Sequence, residues 1–468
     1  MTGPRTGWRW AAVLIPGALL YFLPAPGLNE AQRHLLAIFA ATIISLAAQP
    51  VPMGVSVVVA MTTLALTRTL PGPQVLTGFA NPTVWLIFTA FLFARAVTAT
   101  GLGLRVAYLF IERFGRSALT LGYSVAGANL VVAPFVPSDT ARGGGIIFPI
   151  TRSLAQVFGS EPGATANRLG AFLMLSAFHA NYTVSAMFLT AMASNALIAD
   201  FARNIAHVEL SWGRWALAAS LPGLITLALG PYLIYRLHTP EVRDTPEART
   251  HAAEELAHMG PMSRREITLS LIFLGVMGGW VTSPWHGINN TFVALGGVSA
   301  ILLCRVLAWD ELLGERRAWD ALIWFGPLVM MADALNECGV IGILSSALFH
   351  GMRGWSWPVA AVALAVAYLY LHYGFASMTA HVMALYPSFL AAGVAAGAPP
   401  LCMSLVLAFF SSLDAAMTHY GTGSAPVFFG AGYVSQGTWW RLGLLLSLMN
   451  LVIWLGIGPV WWKALGMW

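Results

Sequence analysis

Two stretches of this chain, one in each half, carry hydroxyl residues where a helix is expected to break. The first contains Pro134 and Pro137, followed directly by Ser138, Asp139 and Thr140. Proline lacks an N–H group and disfavours helical geometry in the residue before it, so a helix should end here. Serine or aspartate then favours the start of a new helix. The free N–H groups and positive dipole end of that helix predict an anion site that needs no metal.

A matching Ser-x-Thr pattern occurs in the second half as Ser377-Met378-Thr379. Nearly the same offset relates Gly101 to Gly339, so the two halves look like repeats. Paired halves with interrupted hydrophobic segments are typical of secondary transporters. Two hydroxyl-lined helix starts that face each other would suit a substrate with a carboxylate at each end. The alternative is that each break is a capped kink at the edge of a bilayer.

Ionisable residues inside apolar spans are costly and usually functional. Those of this chain are Arg95, Asp139, Arg142, His179, Asp333, His372, His381, Asp414 and His419. Arg142 and His381 occupy equivalent repeat positions, where a cation would attract a dianion. The alternative for Arg142 is a structural role, paired with Asp139 or a carbonyl group. We expect His372 and Tyr373 to be interfacial anchors.

A run of small and polar residues from Thr418 to Ser424 interrupts the last part of the chain. Glycine, threonine and serine crowd where a long helix would favour leucine, which predicts an unwound segment with exposed backbone groups. We expect Thr422, Gly423 and Pro426 to complete the wall of the site. Its first-half counterpart lies at 179–195, where small residues could equally serve helix packing.

The elements that position these residues must lie in a membrane. Of 468 residues, 58% are hydrophobic and only 9% are charged, whereas soluble domains are about 25% charged. The net charge is +5, and the basic residues are scattered over short loops between apolar runs. This distribution is typical of residues that orient a protein in a membrane, and it argues against nucleic-acid binding. The sequence carries none of the common motifs of hydrolases or nucleotide-binding enzymes, so we expect a transporter driven by ion gradients or exchange. The charged stretch 238–266 is expected to be a disordered cytoplasmic linker.

Four motifs resemble the divalent anion:sodium symporter (DASS) superfamily. They lie at 137–149, 190–195, 376–381 and 418–433, and Thr418-His-Tyr-Gly-Thr-Gly423 is the most specific of them. The resemblance runs from about residue 80 to the end of the chain. The most similar branch looks like the bacterial citrate, tartrate and succinate antiporters and the plastid 2-oxoglutarate/malate translocators.

The resemblance implies an all-α polytopic membrane protein, built as an inverted-repeat elevator-type transporter with re-entrant hairpins and broken helices. The hairpins would lie near 80–112 and 319–350, and the protein would be a homodimer in a bacterial inner membrane. The expected divisions are scaffold helices at 1–75, the first repeat's transport part at 76–205, scaffold helices at 206–318, the second repeat's transport part at 319–435 and a C-terminal membrane helix at 436–468.

The family places two Ser-Asn-Thr signatures at its substrate site, and this chain departs from both. Asp139 replaces an asparagine that helps to bind sodium or substrate, and Met378 replaces the second asparagine. Methionine offers sodium no hard oxygen, which favours anion exchange. A carboxylate at Asp139 would repel a dianion unless Arg142, a proton or a cation neutralises it. The sodium-binding positions that the resemblance implies are Pro137, Ser138, Asp139, Thr190 and Asn195.

The sequence therefore predicts an exchanger of C4–C6 di- or tricarboxylates such as succinate, malate, tartrate, citrate or 2-oxoglutarate. A sodium-coupled symporter of the same anions is the alternative, and an anion channel or a membrane enzyme is less favoured. No cofactor is expected besides a coupling sodium ion. The predicted substrate-binding residues are Ser138, Asp139, Thr140, Arg142, Ser377, Met378, Thr379, His381, Thr422, Gly423 and Pro426.

Overall fold

The computed structural model describes residues 7–24 and 27–468, and this part of the chain is almost entirely helical. Its one β-type pairing is an isolated bridge between Ser117 and Asp244. The helices of the first half are α1 (Gly7–Phe22), α2 (Glu30–Ala48), α3 (Met53–Leu66), α4 (Gly72–Val75), α5 (Pro82–Thr100), α6 (Leu102–Phe114), α7 (Ala118–Val132), α8 (Asp139–Arg142), α9 (Phe148–Val157), α10 (Gly170–Met187), α11 (Ala193–Ala206) and α12 (Trp212–Leu237).

The rest of the chain continues in the same way. Its helices are α13 (Pro246–Met259), α14 (Arg264–Val281), α15 (Ser283–His286), α16 (Asn290–Leu303), α17 (Trp309–Leu313), α18 (Arg316–Glu337), α19 (Val340–His350), α20 (Trp357–Leu371), α21 (Met378–Ala395), α22 (Pro400–Leu413), α23 (Ala425–Gly430), α24 (Gln436–Val452) and α25 (Gly458–Ala464). Short 3-10 or π turns join several of them.

Eight helical segments in the described residues are long and apolar enough to cross a bilayer. They are Glu30–Ala48, Pro82–Thr100, Ala118–Phe135, Trp212–Leu237, Arg316–Glu337, Trp357–Gly374, Met378–Ala395 and Gln436–Ala464. Because a helix needs about 20 apolar residues to span the hydrocarbon, these segments account for the high hydrophobic content of the chain.

Two helical hairpins occupy the ranges expected for them. In the first, α5 and α6 are joined at Gly101, and in the second, α18 and α19 are joined through Gly339. Both glycines adopt a left-handed conformation, with φ of 78° and 82°. A side chain would be strained in this conformation, so glycine fits the two joints. The matching geometry supports the repeat inferred from the sequence.

The two helix breaks also match each other. Helix α7 ends at Val132 and a 3-10 turn follows, as α20 ends at Leu371 and is followed by a 3-10 turn. The chain then becomes extended and begins a new helix after Ser138 or Ser377. In the first half, a π turn at 143–147 joins α8 to α9, so helical structure runs on to Val157.

The charged stretch 238–266 is ordered, which corrects the expectation of a disordered linker. It forms α13, whose Ala248 and Ala252 are fully buried. Arg249 Nε donates to the carbonyl of Glu112 at the end of α6 over 2.6 Å. This polar helix packs closely on α6 because its buried residues are small and its side chains bond to free carbonyls at the end of α6. Hydropathy alone does not reveal this contact.

Helix α10 forms the centre of the molecule, and all of its residues are buried. It packs against α7, α9, α12 and α22, so elements of both halves surround it. A helix buried on every side carries polar groups only where partners satisfy them. Its Ser185 accepts a hydrogen bond from Arg142, and its Asn181 donates to the backbone carbonyl of Asp139, so α10 contacts the first helix break.

Candidate substrate site

Ser138 and Ser377 begin their helices in nearly the same way. Their φ and ψ angles are −141° and 115° for Ser138, and −145° and 121° for Ser377. Each side-chain oxygen accepts a hydrogen bond from the backbone N–H three residues later, at 3.1 Å and 3.3 Å. Both serines are N-caps, and both are partly accessible. The sequence-based prediction of two capped helix starts is confirmed.

Asp139 forms hydrogen bonds that connect the first helix break to the segment 422–424 near the end of the chain. Its Oδ2 accepts hydrogen bonds from the hydroxyls of Thr422 and Ser424, the second over 2.8 Å. Its backbone carbonyl accepts from the side-chain amide of Asn181 over 2.9 Å. That amide also reaches the Ser424 hydroxyl over 3.3 Å. These contacts join the first helix break to Thr422 and Ser424 and to helix α10.

The same short segment also contacts the second break. His372, which follows α20 directly, is 1% exposed, and its Nε2 lies 2.7 Å from the carbonyl oxygen of Gly421. Gly421 thus contacts one break, while Thr422 and Ser424 contact the other. The segment Gly421–Ser424 lies between the two helix breaks and brings them to one place in the molecule.

Some of the predicted substrate-binding residues form the accessible surface between the two helix breaks. Thr140, Gly423 and Pro426 are exposed, and Ser377 and Thr379 are half-buried. A Cβ added at Gly423 would overlap the hydroxyl of Thr140, so these two residues are adjacent. Thr422 is buried and acts on Asp139 instead.

Arg142 lies beneath the site, and this corrects its predicted contact with substrate. The residue is fully buried, and all five of its N–H groups are used. The acceptors are Asn129 Oδ1, Ser185 Oγ and the carbonyl oxygens of Val136, Asn181 and Ala191, at 2.5–3.0 Å. No donor remains for an anion, so Arg142 acts as a fixed cation that holds the first break in shape.

His381 and Met378 are also buried rather than accessible, which corrects their predicted place among the substrate contacts. Met378 is 2% exposed and packs in the apolar core. His381 is fully buried, with its Nδ1 2.8 Å from Oδ2 of Asp414. The same carboxylate oxygen lies 3.3 Å from Nδ1 of His372, so His372 is not the surface anchor that the sequence suggested.

The sodium-binding positions implied by the resemblance have other partners. Thr190 donates its hydroxyl to the carbonyl of Pro134 over 2.7 Å. The amide nitrogen of Asn195 donates to the carbonyls of Ser185 and Phe188. Its Oδ1 is left as a buried oxygen without a partner among the described residues. Arg142 already donates to two carbonyls beside the first break, whereas Oδ1 of Asn195 is an oxygen of this set that is left to bind a cation.

Some residues of this network were not foreseen. Asn129 holds Arg142 over 2.9 Å and contacts Asn181 over 3.4 Å, but it appears in the sequence as one polar residue in an apolar helix. Asp414 stands out in the sequence as an ionisable residue in an apolar span, and nothing in the sequence indicates its partner. Applying the repeat offset to Arg142 leads to His381, but the approach of Asp414 and His372 depends on tertiary packing.

The fold and the paired helix breaks define a membrane transporter built from two repeats. The model of the family described as "Sodium:sulfate symporter transmembrane region" matches residues 5–468, and the chain belongs to this family. It is therefore a transporter rather than an enzyme. The DASS assignment made from the four sequence motifs is confirmed.

Several relatives match nearly the whole chain. One is the Bacillus subtilis protein named "Putative malate transporter YflS", which is 48% identical over 97% of this chain and 95% of its own length. Another is "Dicarboxylate transporter 1, chloroplastic" of Arabidopsis thaliana, 42% identical over 98% of this chain and 85% of that protein.

A solved structure of the Alcanivorax borkumensis YdaH transporter has the same fold. It superposes with a TM-score of 0.58 at 15% identity, covering 99% of this chain and 98% of the other. The expected all-α polytopic membrane fold is confirmed.

Proposed function

We propose that this chain is a secondary transporter that exchanges small dicarboxylate anions across a membrane. The observation that carries the proposal is the position of Gly421–Ser424 between two capped helix starts. Helix starts present free N–H groups and positive dipole ends, which bind carboxylates. Two of them near one segment match an anion with two charged ends. The names of the relatives from Bacillus subtilis and Arabidopsis thaliana support the same substrate class.

The two ends of the site differ in charge. At the first break, Asp139 already places a carboxylate in the first turn of the helix. At the second, α21 has no acidic residue in its first turn. We therefore assign one substrate carboxylate to the second helix start, with the hydroxyls of Ser377 and Thr379. The other end of the substrate would contact Thr140 and the backbone at Gly423 beside Pro426.

Exchange is favoured over sodium symport by two features. The guanidinium of Arg142 holds the carbonyls of Val136 and Ala191 over 2.8 Å and 2.9 Å. A permanent cation at this position supplies positive charge beside the site without a coupling ion. Met378 then offers no hard oxygen at the matching position of the second repeat. From these two features we infer that the carrier returns with an anion bound, which is exchange.

A polar cavity of about 320 Å³ adjoins the first break and provides a path for an anion. It is lined by Arg95, Arg317 and Glu315 beside Ala141 and Gly145. A carboxylate oxygen of Glu311 lies 3.4 Å from a guanidinium nitrogen of Arg95 and partly neutralises its charge. Basic side chains in a concave site raise the local concentration of an anionic substrate. During transport, we propose that the transport parts of the two repeats, 76–205 and 319–435, carry the site across the bilayer while the scaffold helices hold still, within a homodimer in a bacterial inner membrane.

A competition panel tests the proposed substrate class. Purified protein in liposomes that contain succinate would be given labelled external succinate together with an excess of malate, tartrate, citrate, 2-oxoglutarate or sulfate. We expect the C4 dicarboxylates to reduce uptake most, because their two carboxylates reach from the second helix start to Thr140 and Gly423. Equal competition by sulfate would contradict a site built for two carboxylates.

A further inference from the structure

Three buried ionisable residues form a cluster behind the second helix break. His372, His381 and Asp414 are each at most 4% exposed, and their nearest ligand atoms lie within 4.8 Å of one another. Neither oxygen of Asp414, neither ring nitrogen of His381 and only one ring nitrogen of His372 has a well-formed hydrogen bond within the described residues. Buried polar atoms are almost always paired, so this cluster requires an explanation.

The contact of His372 with Gly421 fixes where one hydrogen must lie. A carbonyl oxygen can only accept, so Nε2 of His372 carries the hydrogen in their 2.7 Å contact. In a neutral ring, Nδ1 then presents a lone pair to Oδ2 of Asp414, only 3.3 Å away. Two lone pairs at this distance repel each other. A further proton, on the ring or on the carboxyl group, converts the repulsion into a hydrogen bond.

The neighbouring side chains do not compete for this proton, so it resides on one of the three residues of the cluster. Tyr368 packs on His381 with ring centroids 4.3 Å apart, and its hydroxyl pairs with Ser411 over 2.8 Å. Tyr386 donates its hydroxyl to a backbone carbonyl over 3.1 Å. Phenols ionise near pH 10 in water and keep their protons at neutral pH. Asp139 contacts the Gly421–Ser424 segment at Thr422 and Ser424. His419 accepts a hydrogen bond from the indole N–H of Trp440 over 3.0 Å.

The two repeats therefore differ in the basic side chain that they carry at equivalent positions. The first repeat has Arg142, whose charge is permanent and whose five donors are satisfied. The second has His381, which belongs to a cluster whose charge depends on a proton. Imidazole is the side chain whose ordinary ionisation lies nearest to neutral pH. The positive field at the second helix start can thus change with proton binding.

We propose that His372, His381 and Asp414 form a proton-binding site linked to dicarboxylate binding through the contact of His372 with Gly421. With the proton bound, the cluster loses its uncompensated negative charge, and Gly421–Ser424 is held for an incoming dianion. Without the proton, the repulsion between His372 and Asp414 disturbs that contact. Dicarboxylate binding and proton uptake then favour each other, as linkage requires. This inference rests on the proposed function because its readout is dicarboxylate binding.

Calorimetry of succinate binding between pH 7 and 8.5, where succinate stays a dianion, tests the proposal. The dissociation constant should rise with pH, by up to about tenfold per pH unit for one linked proton. Binding heats in phosphate and in Tris should differ because protons are taken up from the buffer. A pH-independent dissociation constant with equal heats would overturn the proton site alone. Absence of dicarboxylate binding at every pH would overturn the proposed function as well.

Two variants separate a proton site from a merely structural cluster. Asp414→Asn should abolish the pH dependence, because its amide can donate to Nδ1 of His372 without an added proton. His372→Gln should do the same while keeping a donor for Gly421. The matched control is His258→Gln, at an exposed position of α13, which should behave as wild type. Persistence of the proton uptake in both cluster variants would overturn the assignment.

Metal analysis of the purified protein distinguishes a second occupant. Two histidines and a carboxylate also suit a transition metal, particularly where one ring donates its other N–H to a carbonyl. After dialysis against EDTA, we expect no stoichiometric metal and an unchanged pH dependence of succinate binding. A retained equivalent of metal that Asp414→Asn abolishes would overturn the proton assignment.

Discussion

The carboxylate of Asp139 accepts a hydrogen bond from the Ser424 hydroxyl over 2.8 Å, although 285 positions separate the two residues. This bond joins the helix break of the first repeat to the segment that also contacts the break of the second. Its neighbour Thr422 donates to the same oxygen. A substitution of Asp139 or Ser424 should therefore alter the geometry at both helix breaks rather than in one repeat.

Removing the Ser424 hydroxyl should weaken dicarboxylate binding. A hydrogen bond to a charged group contributes about 1.5–3 kcal/mol, which corresponds to a tenfold or larger rise in the dissociation constant if all of it acts on the binding-competent state. Calorimetry with succinate would measure the effect of Ser424→Ala. Ser299→Ala is the control, since this serine only bonds to a carbonyl of its own helix α16. An unchanged dissociation constant would separate Ser424 from the site.

The variant Thr379→Ala should lower affinity without lowering stability. Its hydroxyl is half-buried in the first turn of α21, where it is assigned to a substrate carboxylate. We expect a loss of about 1.5–3 kcal/mol in binding, with a thermal unfolding midpoint like that of wild type. Thr62→Ala, at an exposed position of α3, serves as the control. If both variants bind succinate equally well, Thr379 does not contact the substrate.

A methyl group at position 423 should block the site. In Gly423→Ala the new carbon would overlap the hydroxyl of Thr140, so the segment or the helix start must move. We expect transport to fall at least about tenfold, because misplacing binding groups by about an ångström carries large penalties. Gly430→Ala is matched to it, since nothing lies within 4 Å of a Cβ there. Equal transport by the two variants would show that Gly423 is not confined by Thr140.

Replacing Arg142 by lysine should destabilise the protein. Lysine has three N–H donors in place of five, so at least two buried acceptors lose their partner, at about 1–3 kcal/mol each. The thermal unfolding midpoint of the protein in detergent should fall by several degrees. The control is Arg152→Lys, an exposed position on α9. An unfolding midpoint equal to wild type would mean that the guanidinium network contributes little.

The breaks and their caps were predictable because the signals are local. Proline before a serine and the Ser-x-Thr pattern act within a few residues, and Ser138 and Ser377 cap their helices as the sequence predicts. The repeat offset was equally visible, and the two left-handed glycines, Gly101 and Gly339, agree with it. These features predict a two-repeat membrane protein, and the finer fold class follows only from the resemblance to the DASS superfamily.

The roles of the buried charges were not predictable in the same way. Arg142 was expected to face the substrate, but the acceptors that satisfy it include the carbonyls of Asn181 and Ala191, which approach only in the folded chain. His372 was expected at an interface because it ends an apolar helix, yet Gly421 and Asp414 enclose it. Tertiary contacts decide whether an ionisable group faces the substrate or the interior.

Uptake of labelled succinate into proteoliposomes tests the central claim most directly. The vesicles would contain either malate or no dicarboxylate, and each would be assayed with and without an inward sodium gradient. The account predicts rapid uptake only into malate-loaded vesicles, with no effect of sodium. Sodium-driven uptake that is equally fast without internal dicarboxylate would contradict it.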